Sequence, residues 1–171
     1  MKRAYYYPIL IICVVVIVVL LWYCLFTPVT TVILVRHAER LNSTDTTSLS
    51  IEGFARAVTL EHAIGSAGIH YIIVSDKQRT QQTAAPTSAS VGITPVVIPS
   101  SDIGRVVDSI DVHKGEVILV VGHSDTVPLI ISDLGVSPPP TISANEFDRL
   151  FVVTMFHWRT TLLSLKYGTP T

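Results

Sequence analysis

Val32-Ile33-Leu34-Val35-Arg36-His37-Ala38-Glu39-Arg40 is the stretch whose reading decides the fold. Its first four residues are aliphatic and mostly β-branched, the pattern of a strand buried on both faces, and the run breaks abruptly into Arg36-His37-Ala38-Glu39. A buried strand that ends in polar residues points them out beyond the sheet. In open α/β sheets ligands sit in the crevice outside the carboxyl ends of the strands, so Arg36 and His37 stand where chemistry is expected.

Downstream, strand-like and helix-like segments alternate. Leu41 to Leu49 is a polar Asn/Ser/Thr/Asp loop, and Ser50 then reads as the cap of a helix running to about Ser66, with Glu52 in its first turn and Phe54, Ala57, Val58 and Ile64 at helical spacing. Tyr71 to Val74 is a second buried strand. The polar segment Ser75 to Ala84 leads into a helix that carries Pro86 and closes near Gly92. Val96 to Ile98 is a short strand, Asp102 to Val112 a helix, and Val117 to Val121 an all-aliphatic strand broken by Gly122-His123-Ser124-Asp125. Thr126 to about Leu134 is a further helix, with Pro128 tolerated in its first turn, and it is followed by the Pro138-Pro139-Pro140 turn. Leu150 to Phe156 and Thr161 to Tyr167 read as a closing hairpin around His157-Trp158-Arg159. The alternation predicts an α/β three-layer sandwich, a mostly parallel sheet covered by helices on both faces.

Ahead of this domain the chain is of a different kind. The hydrophobic share is 49% and the mean hydropathy +0.51, and the excess is concentrated in the uncharged segment 8–26, PILIICVVVIVVLLWYCLF. Nineteen helical residues span roughly the 30 Å hydrocarbon layer of a bilayer. Tyr5, Tyr6 and Tyr7 on one side and Trp22 and Tyr23 on the other suit its two interfaces. A cleaved signal peptide calls for a shorter apolar core and small residues at the cut, whereas Trp22 to Phe26 is bulky; the same bulk argues against lipidation of Cys24. The expected layout is a cytoplasmic N-terminus (1–7), a transmembrane anchor (8–26), a linker (27–30) and a domain (31–168). Lys2 and Arg3 precede the span and no charge follows until Arg36, so the positive-inside rule sends the domain to the extracytoplasmic side. The linker is so short that the domain is expected within about 14 Å of the lipid, with Arg36 and His37 at the far end of the first strand and the crevice there opening away from the membrane.

Both cysteines, Cys13 and Cys24, lie in the apolar segment, which leaves the domain without a disulfide or a thiolate metal site. Without Lys2 and Arg3 the chain carries ten basic and thirteen acidic side chains, a balance that gives no support for nucleic-acid binding.

Arg36 and His37 follow the first strand, Arg79 lies just after the second and His123 follows the fourth. In a parallel sheet all of these converge on one edge, where two guanidiniums and two imidazoles make a pocket for a dianion. A histidine among arginines has its protonated form disfavoured and stays nucleophilic near pH 7. His62, His70, His113 and His157 lack such context and read as surface or structural; Tyr71 and Phe54 read as core.

These residues resemble the histidine phosphatase superfamily, the phosphoglycerate-mutase-like fold. Leu34-Val35-Arg36-His37-Ala38-Glu39 is similar to the first-strand signature of that family, Ser75 to Ala84 with Arg79 to its second element, and Val120-Val121-Gly122-His123-Ser124 to its third. Leu49-Ser50-x-x-Gly53 resembles the entry to its first helix. The resemblance covers about residues 31 to 168 and implies a small single-domain phosphatase that needs no metal and no cofactor. His37 would attack phosphorus in line and become a phosphohistidine that water hydrolyses, while Arg36, Arg79 and His123 hold the phosphoryl oxygens. The ring nitrogen of His37 not used in attack should donate to a backbone carbonyl. Asp102 and Asp125 are the two candidates for the general acid, Asp102 slightly ahead; Asp125 reads equally as a helix cap. Glu39 stands as an acid, a partner of Arg36 or a surface charge. The implied substrate is a phosphorylated small molecule or a phosphoprotein, and the implied partners exclude nucleic acid and include the bilayer through 8–26. A catalytically silent phosphate-binding scaffold on the same fold and a phosphomutase are the alternatives.

Overall fold

The computed structural model describes residues 6–26 and 28–171, and the side chains of these except 24–26. The expectations placed on Lys2, Arg3, Tyr5, Thr27 and the Cys24 side chain lie outside the described residues.

The chain runs α1 (Tyr6–Phe26), β1 (Thr30–Arg36), α2 (Ile51–Ile64), β2 (Tyr71–Ser75), α3 (Gln78–Val91), β3 (Val96–Ile98), α4 (Ile103–Val112), β4 (Val117–Gly122), α5 (Thr126–Asp133), β5 (Arg149–Phe156) and β6 (Arg159–Lys166). The six strands form one sheet in the order β3-β2-β4-β1-β5-β6. β3, β2, β4 and β1 are parallel, and β5 joins β1 antiparallel before turning back as β6.

Pleat alternation splits each central strand between two cores. Val32 and Leu34 of β1 face α4 and α5, where they pack with Val106, Ile110, Val127 and Ile131. Ile33 and Val35 face the other side and pack with Leu60 and Ile64 of α2 and Ala84 of α3. Strands clothed in this way must be apolar along their whole length, which is why each of them reads as an unbroken aliphatic run.

The layer contact of α2 differs from the sequence-based expectation. Phe54 is 46% and Val58 58% exposed, while Gly53, Arg56, Ala57, Leu60 and Ile64 form the buried face. Gly53 sets this rotation, because a Cβ there would collide with the carbonyl oxygen of Glu39. Tyr71 is half-buried and stacks on His113 with ring centroids 3.6 Å apart. The hairpin is also tighter than expected: Arg159 already pairs with Phe156, leaving His157 and Trp158 as the turn. Beyond β1 the helical cover thins, and Leu163 and Leu165 of the edge strand β6 are exposed.

In α1 the segment Tyr6–Tyr23 has a mean hydropathy of 2.6, and none of it is buried against the domain. One N-terminal apolar helix of this kind is what an anchor or a signal sequence presents. Arg36 lies at the opposite end of β1 from Thr30, next to which α1 ends; the seven residues of the strand put roughly 20 Å between them.

Candidate active site

Parallel pairing brings the carboxyl ends of β1, β2 and β4 together. Arg36 pairs with Gly122, and the peptide N–H of His37 donates to the Gly122 carbonyl at 2.9 Å, so the residues following β1 and β4 leave the sheet side by side. The His37 and His123 rings meet edge to face with centroids 5.3 Å apart. Arg36, His37, Arg79, His123 and Asp125 line one open cleft of about 610 Å³.

The tautomer of His37 follows from its partner. Nδ1 of His37 lies 2.8 Å from the Ala38 carbonyl oxygen. A carbonyl only accepts, so Nδ1 carries the hydrogen and Nε2 keeps the lone pair. The ring is buried, and burial, more than the neighbouring cations, pushes its pKa down to about 3. His123, Arg36 and Arg79 add to the effect, and the Ala38 carbonyl opposes it. At neutral pH the imidazole is therefore uncharged.

For His123 the hydrogens can be counted along a chain of contacts. Its Nε2 is 2.9 Å from Ser75 Oγ, which is 2.8 Å from Thr80 Oγ1, which is 2.7 Å from the Lys77 carbonyl oxygen. The carbonyl must accept from Thr80, so the Thr80 oxygen accepts from Ser75 and the Ser75 oxygen accepts from His123. Every contact then holds one hydrogen, with His123 protonated on Nε2. Burial, reinforced by the Arg79 charge, holds the pKa of this ring down at about 4.

The guanidiniums are pinned on one side and unsatisfied on another. Arg36 Nη1 donates to the carbonyls of Ser143, Ala144 and Glu146 at 2.8 to 3.1 Å, and its guanidinium carbon sits 4.1 Å from the centre of the Phe147 ring. Arg79 Nη1 donates to the Asp45 carbonyl at 2.7 Å. The Nε of each is buried with no hydrogen-bond partner among the described residues. Burial and the charges of Arg40 and Arg79 hold the Arg36 pKa below its ordinary value.

Helix α3 braces the entrance from below. Thr83 Oγ1 accepts from the Ala38 N–H at 3.0 Å, directly after His37, and Gln82 Oε1 accepts from Ser48 Oγ and the Leu49 N–H, closing the 41–49 loop toward the cleft. That loop delivers Asp45, whose carboxylate pairs with Lys77 at 2.6 Å.

The acidic candidates separate cleanly. Asp125 lines the cleft while its Oδ1 accepts from the Thr126 N–H as a helix cap. Asp102 caps α4 by accepting from the Arg105 N–H; its segment contributes Ser100 and Ser101 to the cleft and leaves Asp102 out of the lining. Glu39 turns away to form a two-oxygen pair with Arg56, so it is not a partner of Arg36. His62, His70, His113 and His157 are absent from the lining. Arg40, Asp45, Lys77 and Phe147 at the site, and the role of Ser75, were not anticipated. Lys77 and Ser75 stand inside the second motif and were within reach of inference; nothing local in sequence marks Phe147.

A family model described as the histidine phosphatase superfamily (branch 1) matches residues 32–100, the span that holds the Arg36-His37 pair and Arg79. The match spans less than half of the chain, and over that segment the chain is similar to this superfamily. Among solved structures, the chain is similar to the α-ribazole phosphatase of Shigella flexneri (16% identity, TM-score 0.64, covering 80% of this chain and 96% of that one). It is similar also to the protein histidine phosphatase SixA complexed with tungstate (18%, 0.61, 80% and 96%) and to a mycobacterial glucosyl-3-phosphoglycerate phosphatase (14%, 0.62, 78% and 97%). At these identities the likeness is one of fold. No curated protein matches the chain in sequence.

Proposed function

We propose that the protein is a membrane-anchored phosphatase that hydrolyses a phosphomonoester or a phosphohistidine through a covalent phosphohistidine on His37. The observation that carries this reading is a neutral imidazole whose Nε2 keeps its lone pair, flanked in one cleft by the side chains of Arg36 and Arg79. Guanidiniums gathered at one cleft match phosphoryl oxygens, which accept their N–H groups in planar, charge-assisted pairs.

In the proposed reaction Nε2 of His37 attacks phosphorus as the bond to the leaving oxygen or nitrogen breaks. Arg36 and Arg79 neutralise the charge spreading over the equatorial oxygens. With Nε2–H of His123 committed to Ser75, phosphate binding draws a proton onto Nδ1, and the resulting imidazolium faces the oxygens. Asp125, the carboxylate candidate on the wall, hands a proton to a poor leaving group. Water then attacks the phosphohistidine and gives its proton to the Asp125 carboxylate, or to solvent where the leaving group took none, as the P–N bond breaks and phosphate leaves with His37 neutral again.

The anchor is segment 8–26, followed by the 27–30 linker and the 31–168 domain, which lies on the extracytoplasmic side. The mean hydropathy and the exposure of α1 support an anchor, and the side rests on the positive-inside reading of Lys2 and Arg3. The full chain in detergent, assayed against a panel of phosphomonoesters and a phosphohistidine peptide, should lose activity to below about a thousandth in His37→Ala. Asp125→Asn should slow alkyl phosphates by about 10²-fold and spare aryl phosphates and phosphohistidine, whereas Asp102→Asn should leave all of them unchanged. Turnover surviving in His37→Ala would overturn the reading.

A further inference from the structure

We propose that the tip of the β5–β6 hairpin, Phe156 to Arg159, is a second membrane contact that seats in the interfacial layer of the bilayer that holds α1. The proposal rests on the anchor reading and adds to it how the domain is held at the surface.

Register puts the tip at the correct end of the molecule. Thr30, the first residue of β1, pairs with Met155, and Phe156 pairs with Arg159, so the turn lies at the edge of the sheet where α1 ends. The two elements touch: the Tyr23 ring packs on His157 with centroids 4.7 Å apart. Tyr23 closes the apolar window of α1, the depth at which a bilayer passes from hydrocarbon to headgroups. From His157 the aromatic surface continues to Phe156 at 4.0 Å and to Trp158 at 5.4 Å.

The tip's composition has no explanation in folding. A two-residue hairpin turn favours Asn-Gly or Gly because it needs positive φ, yet here His157 takes φ +53° and Trp158 follows it. Trp158 is 90% exposed, a large apolar surface left in water by the domain alone, with Phe156 also exposed beside it. Trp carries an apolar ring with one N–H donor, which matches the headgroup layer, and Arg159 at the base of the turn can extend its guanidinium to lipid phosphates. Contact at α1 alone would let the domain pivot on its short linker. A second contact removes that freedom and keeps the cleft, at the far end of β1, turned to the aqueous phase.

The chain's only two tryptophans, Trp22 and Trp158, report the two claims separately. The full-length protein is reconstituted into phosphatidylcholine–phosphatidylglycerol vesicles with bromines placed high on the acyl chains, as Trp22→Phe (Trp158 alone emits) and as Trp158→Phe (Trp22 alone emits). The expected result is several-fold bromolipid quenching of both, with Trp158 shielded from aqueous iodide. Bromolipid quenching of Trp22 together with iodide quenching of Trp158 overturns the hairpin contact and leaves the anchor standing. Absence of bromolipid quenching at Trp22 overturns the anchor, and the hairpin contact with it.

Discussion

Two imidazoles 5.3 Å apart are held in opposite tautomers by different means. His37 is fixed by one carbonyl in its own turn, and His123 by a relay through Ser75 and Thr80 to the Lys77 carbonyl. A direct check is available: ¹⁵N chemical shifts should show His123 as the Nε2–H tautomer in the free protein, and Ser75→Ala should give a mixture of tautomers with about a tenfold loss in kcat/KM, roughly the worth of one strong hydrogen bond. A free protein already in the Nδ1–H form would remove the relay's role. At this scale the sequence was legible for the side chains that line the cleft. Arg36, His37, Arg79 and His123 stand out because each interrupts or follows an aliphatic run. The grip on Arg36 comes from three backbone carbonyls in the 143–146 segment, and a carbonyl looks the same under any side chain, so that part of the site left no trace in the residue pattern. Asp102 was favoured over Asp125 on chain distance alone, and distance along a chain does not say which way a capping carboxylate points.

The elements carry the site by close approach. α2 presses on the strand exit through Gly53, whose missing side chain makes room for the Glu39 carbonyl, and through Arg56, which binds the Glu39 carboxylate and also donates to the Tyr167 and Thr169 carbonyls. Gly53→Ala must therefore push helix and strand apart. We expect a loss of about 2–4 kcal/mol of stability, read as a lowered thermal midpoint by near-ultraviolet circular dichroism. Ala-like tolerance at this position would mean that the contact is looser than described. The same contact explains why helical spacing misled at Phe54 and Val58: periodicity shows that a helix has an apolar stripe, but a glycine and a paired arginine turned the buried face about the axis. Strand calling was easier, because β1, β2 and β4 are covered on both sides and leave no polar face to misread.

Across the whole molecule, the parallel strands share one direction, so a single sheet edge gathers Arg36, His37, Arg79 and His123 while the other lies toward α1 and the hairpin tip. Burying two neutral histidines at that edge couples fold to pH. Both pKa values are depressed from 6.5, so the unfolded chain binds more protons than the folded one between 6.5 and about 3 for His37, and between 6.5 and about 4 for His123. Their contribution is intact above pH 6.5 and is lost as pH falls through that window. Unfolding midpoints should thus drop steeply below about pH 6, less so in the His37→Ala, His123→Ala double variant; equal slopes would contradict the assigned burial. The central claim is that positions more than eighty residues apart converge to leave one nitrogen, Nε2 of His37, open to phosphorus. It is tested most directly by rapid mixing with a phosphodonor, alkaline quenching and location of the phosphoryl group by mass and ³¹P–¹⁵N coupling. The account predicts phosphorus on Nε2 of His37 during turnover; phosphorus on Nδ1, on another residue, or turnover with no phosphohistidine formed would contradict it.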